Sequence, residues 1–244
     1  DRSPSRGLGD VYKRQIITGA SRGIGQAIAL LYASMGWNIS ICCRHKSPDM
    51  EHTKAQITAA GGQYFAFYGD MGNPEDAEAF VTKSVQTFGI PEIFVNNAGI
   101  SHIGLLQDMT PQQWDDLLRT NLSSVFYTSR IIIPYFLHEK HGRIINISSV
   151  WGNVGASTEA AYSASKGGIN ALTKALAKEL APSGIPVNAI ACGMIDTSMN
   201  AFLVLAASLR IALICFLLRL FCLSASCAGV SAFFSFFFLR ITYN

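Results

Sequence analysis

The chain has 244 residues and a formal net charge of +3, and half of its residues are hydrophobic while 14% are charged. This length fits one α/β domain or two small ones. The positive charge lies at the two ends, because residues 16–200 hold 12 basic and 14 acidic residues, which excludes basicity as an argument for a nucleic-acid partner.

Residues 1–15 are polar, rich in Gly, Ser and Arg, and without hydrophobic periodicity. They resemble translated sequencing-library adapter, and we predict a non-native or disordered leader outside the fold. The first strand is then short, at about residues 16–18. The leader also lacks the apolar core of a signal peptide. The six cysteines show neither metal-site nor disulfide spacing, so we expect no metal and a cytoplasmic protein with free thiols.

Residues 16–200 alternate between short apolar runs and helical patterns. The runs, each a predicted strand, are 37–43, 64–68, 92–95, 143–147 and 186–191. Asn73-Pro74 and Thr110-Pro111 predict helix starts. Glycines stand where helices should end, at Gly36, Gly61, Gly89 and Gly184. Apolar strands separated by helices imply a parallel sheet covered on both faces, and we predict a doubly wound, Rossmann-type α/β domain.

A glycine-rich segment follows the first strand and opens the first helix. It reads Thr18-Gly19-Ala20-Ser21-Arg22-Gly23-Ile24-Gly25. Glycines allow a tight turn close to a pyrophosphate, which the helix N-terminus attracts; the alternative is a plain βα turn. The second strand ends at Arg44 with no carboxylate for a ribose 2′-hydroxyl. Arg22 and Arg44 could bind a 2′-phosphate or be solvated cations, and we favour NADP(H).

Asp70 ends the third strand and has two interpretations of nearly equal weight. Its carboxylate could accept a hydrogen bond from an adenine amino group. It could instead cap the helix that begins near Pro74.

Tyr162 and Lys166 stand four residues apart in a long helical pattern and therefore share a helix face. An ammonium there could lower the pKa of the phenol, and a tyrosine so tuned can exchange a proton with a carbonyl oxygen. Ser149, after a predicted strand, could hydrogen-bond the same oxygen. A Tyr-x-x-x-Lys spacing alone would more often be an exposed helix pair.

Five motifs together resemble the short-chain dehydrogenase/reductase family over residues 16–200. They are TGASRGIG, Asn96-Asn97-Ala98-Gly99, Asn121, Ser148-Ser149 and YSASK. The resemblance implies Tyr162 as general acid/base, Lys166 as ribose binder and pKa modifier, and Ser149 as the group that polarises the carbonyl. It implies that Asn121 anchors a water in the proton relay.

The resemblance also implies a set of cofactor-binding residues. They are Gly19, Ser21, Arg22, Gly23, Ile24, Gly25, Arg44, Asp70, Met71, Asn97, Ala98, Gly99, Tyr162, Lys166, Gly193, Ile195 and Thr197. The family usually has Pro-Gly after the sixth strand, where this chain has Cys192-Gly193, and we interpret Cys192 as a small residue in place of the proline.

Residues 201–244 break the pattern, with no acidic residue and a run of twenty uncharged positions at 220–239. A membrane anchor is one interpretation. We favour a frameshift after Asn200, since four serines interrupt the run. The family's substrate lid and last strand have no counterpart here. We therefore expect the chain to fold poorly and to reduce carbonyls weakly or not at all.

The substrate has two candidates. The body resembles reductases of 3-oxoacyl groups on acyl carrier protein, whose members form homotetramers or homodimers. Stretches around His102 and Trp151 resemble a sister group that reduces the 5-aminopentanone modification on elongation factor P. The resemblance implies that these two side chains line the substrate pocket; the alternative is ordinary packing and surface exposure. From other classes, the alternatives are a non-catalytic nucleotide-binding protein and a membrane-anchored protein.

Overall fold

The computed structural model describes residues 13–195, 197 and 199. Its centre is a six-stranded sheet with the strand order β3-β2-β1-β4-β5-β6, and every strand pairs parallel to its neighbours. The strands are β1 (Arg14–Ile17), β2 (Asn38–Cys43), β3 (Tyr64–Tyr68), β4 (Ile93–Asn96), β5 (Ile144–Ser149) and β6 (Val187–Cys192). The order reverses between β1 and β4, which in an open α/β sheet opens a crevice at the carboxyl ends of the strands. The predicted Rossmann-type sheet is confirmed.

Helices connect the strands. They are α1 (Gly23–Ser34), α2 (Pro48–Ala59), α3 (Pro74–Phe88), α4 (Pro111–Leu118), α5 (Ser124–Glu139), α6 (Trp151–Val154) and α7 (Ala160–Leu180), with a π-helical turn at Arg119–Ser123 between α4 and α5. The predicted caps are confirmed: the Asn73 side chain accepts from the backbone N–H of Asp76, and Thr110 and Gln113 form a reciprocal capping box.

The hydrophobic core has two parts. One contains the fully buried rings of Phe80, Phe94 and Phe136. The other contains Ile39 and Ile41 of β2 together with residues of α1 and α2. Residues of the central strands contribute to both parts, so both sheet faces are covered, as strands that are apolar throughout require.

Buried hydrogen bonds fix α7 against β5 and β4. The amide of Asn96 donates to Asn146 Oδ1 at 2.9 Å, and Asn146 Nδ2 donates to Thr173 Oγ1 of α7 at 2.9 Å. Closer to the crevice, the Ser148 hydroxyl donates to Asn170 Oδ1 at 2.6 Å. Buried polar groups that are all satisfied set one orientation of a helix on a strand, whereas apolar contacts alone allow sliding. This network therefore sets where the face of α7 that carries Tyr162 and Lys166 lies.

The first strand begins earlier than the sequence indicated. Arg14 and Gln15 pair with β2, and Gln15 also pairs with Ile93 of β4. The segment interpreted as a leader thus includes the first half of β1, because a parallel ladder uses backbone groups whatever the side chains are. The side chains fit less well, since the buried amide of Gln15 has no hydrogen-bond partner among the described residues.

The predictions for the leader at 1–12 and for the tail from residue 200 onward, including the frameshift and the anchor at 220–239, lie outside the described residues. Within residues 13–195, no helix is both long and apolar enough to cross a membrane.

Replacing Gln15 by valine should stabilise the fold. The substitution removes an unsatisfied buried amide, which costs about 1–3 kcal/mol, and places a β-branched residue between Ile39 and Ile93. Urea unfolding should show a higher midpoint for Gln15→Val and an unchanged one for the control Gln63→Val, which alters an exposed glutamine. An unchanged or lower midpoint for Gln15→Val would show that the amide is satisfied in solution.

Candidate active site

The glycine-rich turn after β1 packs against the chain that follows β4. Gly19 has a φ of 65°, and a Cβ there would lie 2.7 Å from the Cα of Ala98. A Cβ on Gly25 would lie 2.5 Å from Asn97 Nδ2. Both positions therefore need glycine, one for its backbone conformation and the other for close approach. The turn is held in one shape by its neighbours rather than by its own sequence alone.

Hydrogen bonds join the same two segments. The Thr18 hydroxyl accepts from the backbone N–H groups of Asn97 and Ala98 at 2.9 and 3.0 Å. The Asn97 amide donates to the carbonyls of Thr18 and Gly19 at 3.0 and 2.8 Å. Two of the predicted cofactor residues, Asn97 and Ala98, thus fix the glycine turn at the switch point of the sheet.

The start of α1 fits a phosphate group. Arg22 stands at the N-cap, but no side chain caps this helix and its first turn holds no acidic residue. In contrast, side chains cap α2, α3 and α4. A helix N-terminus with free N–H groups and a positive dipole end, beside a turn in which Gly19 and Gly23 carry no Cβ, suits the pyrophosphate of a dinucleotide.

Both candidate arginines for a 2′-phosphate lie at this end of the sheet, and each faces a carboxylate. Arg22 Nη1 lies 3.5 Å from Asp49 Oδ2, with both side chains largely exposed. Arg44 Nη2 lies 3.3 Å from Asp70 Oδ2 and donates to Thr120 Oγ1 at 3.0 Å. Arg44 thus crosses the mouth of the crevice from β2 to the π-helical turn.

The two interpretations of Asp70 can now be separated. Asn73 caps α3, so the capping interpretation of Asp70 is wrong. Asp70 Oδ1 instead accepts from the backbone N–H of Gly72 at 2.9 Å, while the Asp70 backbone N–H donates to Asp76. These bonds hold the carboxylate at the end of β3, next to buried Met71.

The chain after β6 returns to the glycine turn. Thr197 lies beside Gly23, because a Cβ built on Gly23 would be 3.5 Å from Thr197 Cγ2. The predicted nicotinamide-end residue Thr197 is therefore next to the predicted pyrophosphate turn.

Lys166 is buried at the centre of the crevice, with 4% of its surface exposed. Its Nζ donates to the carbonyl of Ile147 in β5 at 2.8 Å and lies 5.6 Å from the centre of the Tyr162 ring. A Cβ on Gly99 would be 3.7 Å from the same Nζ. Burial lowers the pKa of Lys166 from 10.5 to about 8, because an ammonium loses its hydration there.

The expected lowering of the phenol pKa is wrong for this arrangement. Burial raises the pKa of Tyr162 from 10.0 to about 12, and a hydrogen bond with the side chain of Ser149 offsets only part of this. Burial removes the water that would stabilise a phenolate, and the nearby carboxyl of Glu159 adds to the increase. Tyr162 is consequently a protonated phenol at neutral pH.

Asn121 lies in the π-helical turn, fully buried. Its amide donates to the carbonyl of Ile100 at 2.9 Å and to Ser165 Oγ at 3.1 Å, and its Oδ1 accepts from the Ile100 N–H at 2.8 Å. The side chain therefore joins the segment after β4 to α7, and the water that the family resemblance implies stays a prediction.

Comparison with known proteins identifies the family of this chain. The family model of the short chain dehydrogenases matches residues 13–206. This chain belongs to the short-chain dehydrogenase family. The fold and the combination of motifs therefore make it an oxidoreductase acting on alcohol and carbonyl groups.

Individual relatives share most of their length with this short-chain dehydrogenase. It is 41% identical over 188 residues to a 3-oxoacyl-acyl-carrier-protein reductase from Staphylococcus aureus strain Mu50, covering 77% of this chain and 76% of the relative. A reductase of the same name from Synechocystis is 38% identical over 185 residues, covering 76% and 75%. A solved structure from Sinorhizobium meliloti 1021, assigned as a short-chain alcohol dehydrogenase, has a TM-score of 0.73 and 34% identity, covering 78% and 75%.

The sequence did not predict a role for two residues of this site. Thr18 stood within the quoted glycine motif, but only its contact with Asn97 and Ala98 gives it a role. Glu159 raises the pKa of Tyr162 from three residues away. A glutamate three residues before the predicted catalytic tyrosine could have been noticed in the sequence, whereas its interaction with Trp151 could not.

Proposed function

We propose that this short-chain dehydrogenase reduces a ketone to an alcohol with NADPH, and that the ketone is a 3-oxoacyl group on a carrier protein. The observation that carries the proposal is the contact between Tyr162 and Ser149 beside buried Lys166, in a chain 41% identical to a 3-oxoacyl-acyl-carrier-protein reductase. The free thiols of Cys42 and Cys43 fit the cytoplasm.

The chemistry divides between cofactor and protein. A bound nicotinamide cofactor supplies the hydride for the carbonyl carbon, so that ketone, NADPH and one proton give alcohol and NADP⁺. Ser149 donates a hydrogen bond to the carbonyl oxygen as negative charge develops on it. Tyr162 donates the proton to that oxygen. With its pKa raised to about 12, the phenol carries that proton at neutral pH.

Lys166 and Asn121 support these two groups. Because Lys166 Nζ is held by the Ile147 carbonyl beside Gly99, it can hold the ribose hydroxyls near the nicotinamide and stabilise the phenolate left on Tyr162. Asn121 positions Ser165, one residue before Lys166, through the hydrogen bond across the π-helical turn.

NADPH is favoured over NADH by charge. Arg44 has its guanidinium at the carboxyl end of β2, where an NAD-specific site would have an acid. Its present partner Asp70 is also the group proposed to accept the adenine amino group, so both sides of this ion pair have a role toward the cofactor.

A second candidate substrate is the 5-aminopentanone modification on elongation factor P. Burial raises the pKa of the Glu159 carboxyl, and Glu159 contributes to the raised pKa of Tyr162, so a substrate that carries an amino group would suit this end of α7.

Isotope transfer tests the reaction even in a slow enzyme, since labelled product accumulates. With NADPH that carries deuterium at both C4 positions and acetoacetyl carrier protein, mass spectrometry should find one deuterium on the new carbinol carbon. Tyr162→Phe should lower the initial rate at least about 100-fold, the usual contribution of a general acid, while Tyr135→Phe leaves it unchanged. Equal rates in Tyr162→Phe would contradict the assignment. Labelling of modified elongation factor P with none of the acyl carrier substrate would establish the second candidate.

Replacing Arg44 tests the cofactor preference. Arg44→Gln should raise KM for NADPH about tenfold, the loss expected for one charge-assisted hydrogen bond, and change KM for NADH less than about threefold. Arg130→Gln, which alters an exposed arginine of α5, is the matched control. A wild-type enzyme with the lower KM for NADH, or equal effects of Arg44→Gln on both cofactors, would refute NADPH specificity.

A further inference from the structure

The short helix α6 hydrogen-bonds the hydroxyl of Ser149. Trp151 is the first residue of α6, and its backbone N–H donates to Ser149 Oγ at 3.3 Å. Just before it, the Val150 N–H donates to the carbonyl of Cys192 in β6 at 3.0 Å, which joins this segment to the sheet. A hydroxyl has one proton and two lone pairs. Because the Trp151 N–H occupies one lone pair, the position of α6 restricts where the Ser149 proton points.

The backbone of α6 lies directly on the backbone of α7. A Cβ built on Gly152 would be 2.6 Å from the carbonyl carbon of Lys166 and 2.9 Å from the backbone nitrogen of Gly167. The glycine therefore allows the two helices to approach each other closely at the lysine. Contact of this kind is not directional, so the orientation of α6 on α7 depends on a hydrogen bond between them.

Two asparagine side chains form that hydrogen bond. Asn170 of α7 donates from Nδ2 to Asn153 Oδ1 of α6 at 2.9 Å. The Oδ1 of Asn170 accepts from the Ser148 hydroxyl at 2.6 Å, so both ends of its amide have a partner and its orientation is determined. Asn170 is buried, whereas Asn153 stands at the surface. The Asn170 amide thus connects β5, α6 and α7 close to Ser149.

We propose that Asn153 is a positioning residue for Ser149. Bound by Asn170, it holds α6 where the Trp151 N–H reaches Ser149 Oγ. The proton of the Ser149 hydroxyl is then directed toward the carbonyl oxygen of the substrate, and the accepted hydrogen bond makes the hydroxyl a stronger donor. The inference rests on the proposed ketone reduction, in which Ser149 donates to that oxygen. It adds a residue that none of the five sequence motifs contains.

Substitutions of Asn153 test the proposal in the full chain, with NADPH, acetoacetyl carrier protein and kcat counted per NADPH-binding site. Asn153→Ala removes the acceptor of Asn170. It should lower kcat about tenfold, the loss of one hydrogen bond, and change KM for NADPH less than about threefold. Asn153→Asp retains an oxygen acceptor and should restore kcat to within about threefold of the wild type. Val154→Ala, at an exposed position of the same helix, should leave kcat unchanged. An unchanged kcat in Asn153→Ala would overturn the proposal.

A double-mutant cycle with Ser149 distinguishes positioning from a general loss of structure. In the Ser149→Ala background the hydroxyl is absent, so adding Asn153→Ala should lower the remaining rate less than about threefold. A structural defect would instead lower the rate by the same factor, about tenfold, whether or not Ser149 is present. Equal factors in the two backgrounds would therefore refute the role of Asn153 toward Ser149.

Hydrogen exchange of the Trp151 backbone amide tests the positioning without any reaction. In ¹⁵N-labelled protein, Asn153→Ala should speed this exchange at least about tenfold, because α6 opens locally, while Asn153→Asp keeps it slow. Faster exchange at Trp151 in Asn153→Ala, in an enzyme whose wild type does not turn over the ketone, would support the positioning and count against the proposed reaction. Turnover by the wild type with unchanged exchange in Asn153→Ala would support the reaction and refute the positioning. If the wild-type Trp151 amide exchanges as fast as an unprotected amide, the inference is wrong.

Discussion

The contact between the Lys166 amine and the Ile147 carbonyl is the constraint on which the site depends. It places a titratable nitrogen in the interior, 2.8 Å from a strand carbonyl, where water cannot solvate its charge. Such burial is unfavourable unless the partner is fixed, and here α7 is fixed on the sheet by Ser148–Asn170 and Asn146–Thr173. The polar network in the core thus allows Lys166 to be buried, although burial lowers the pKa of its ammonium group to about 8.

The glycine-rich turn and α7, the proposed cofactor-binding and catalytic elements, are parts of one hydrogen-bonded unit. Thr18 binds the backbone of Asn97 and Ala98, and two residues later Ile100 is bound by Asn121. Asn121 also reaches Ser165, which neighbours Lys166 in α7. The distance between a cofactor in the glycine turn and the phenol of Tyr162 is therefore set by a continuous series of bonds. This explains why motifs far apart in the sequence have to occur together.

The sequence alone predicted the strands and helices wherever local chemistry determines where they begin and end. Apolar strand runs and the caps at Asn73 and Thr110 placed most elements within a residue or two. The sequence did not predict properties that depend on burial, such as the pKa values of the site residues. Helical spacing put Tyr162 and Lys166 on one face, but only the packing of α7 on β5 shows that desolvation dominates both pKa values.

The other differences have the same origin in tertiary contact. The sequence predicts that Arg14 and Gln15 belong to the leader, yet their backbone pairs with β2 as part of β1. The sequence offered two roles for Asp70, and the cap that Asn73 provides for α3 excludes one of them. The cofactor and catalytic residues proposed from the motifs converge at the same end of the sheet.

The buried amine can be measured directly. In the protein with ¹³Cε-labelled lysine, NMR titration should show one lysine with a pKa of about 8, and Lys166→Met should remove that resonance. The folded protein would then lose this proton well below the pH at which the unfolded chain does, so Lys166 makes folding more favourable as pH rises from about 8 toward 10.5. If every lysine titrates near 10.5, or the shifted resonance persists in Lys166→Met, the amine is not buried on the Ile147 carbonyl and this account of the site is wrong.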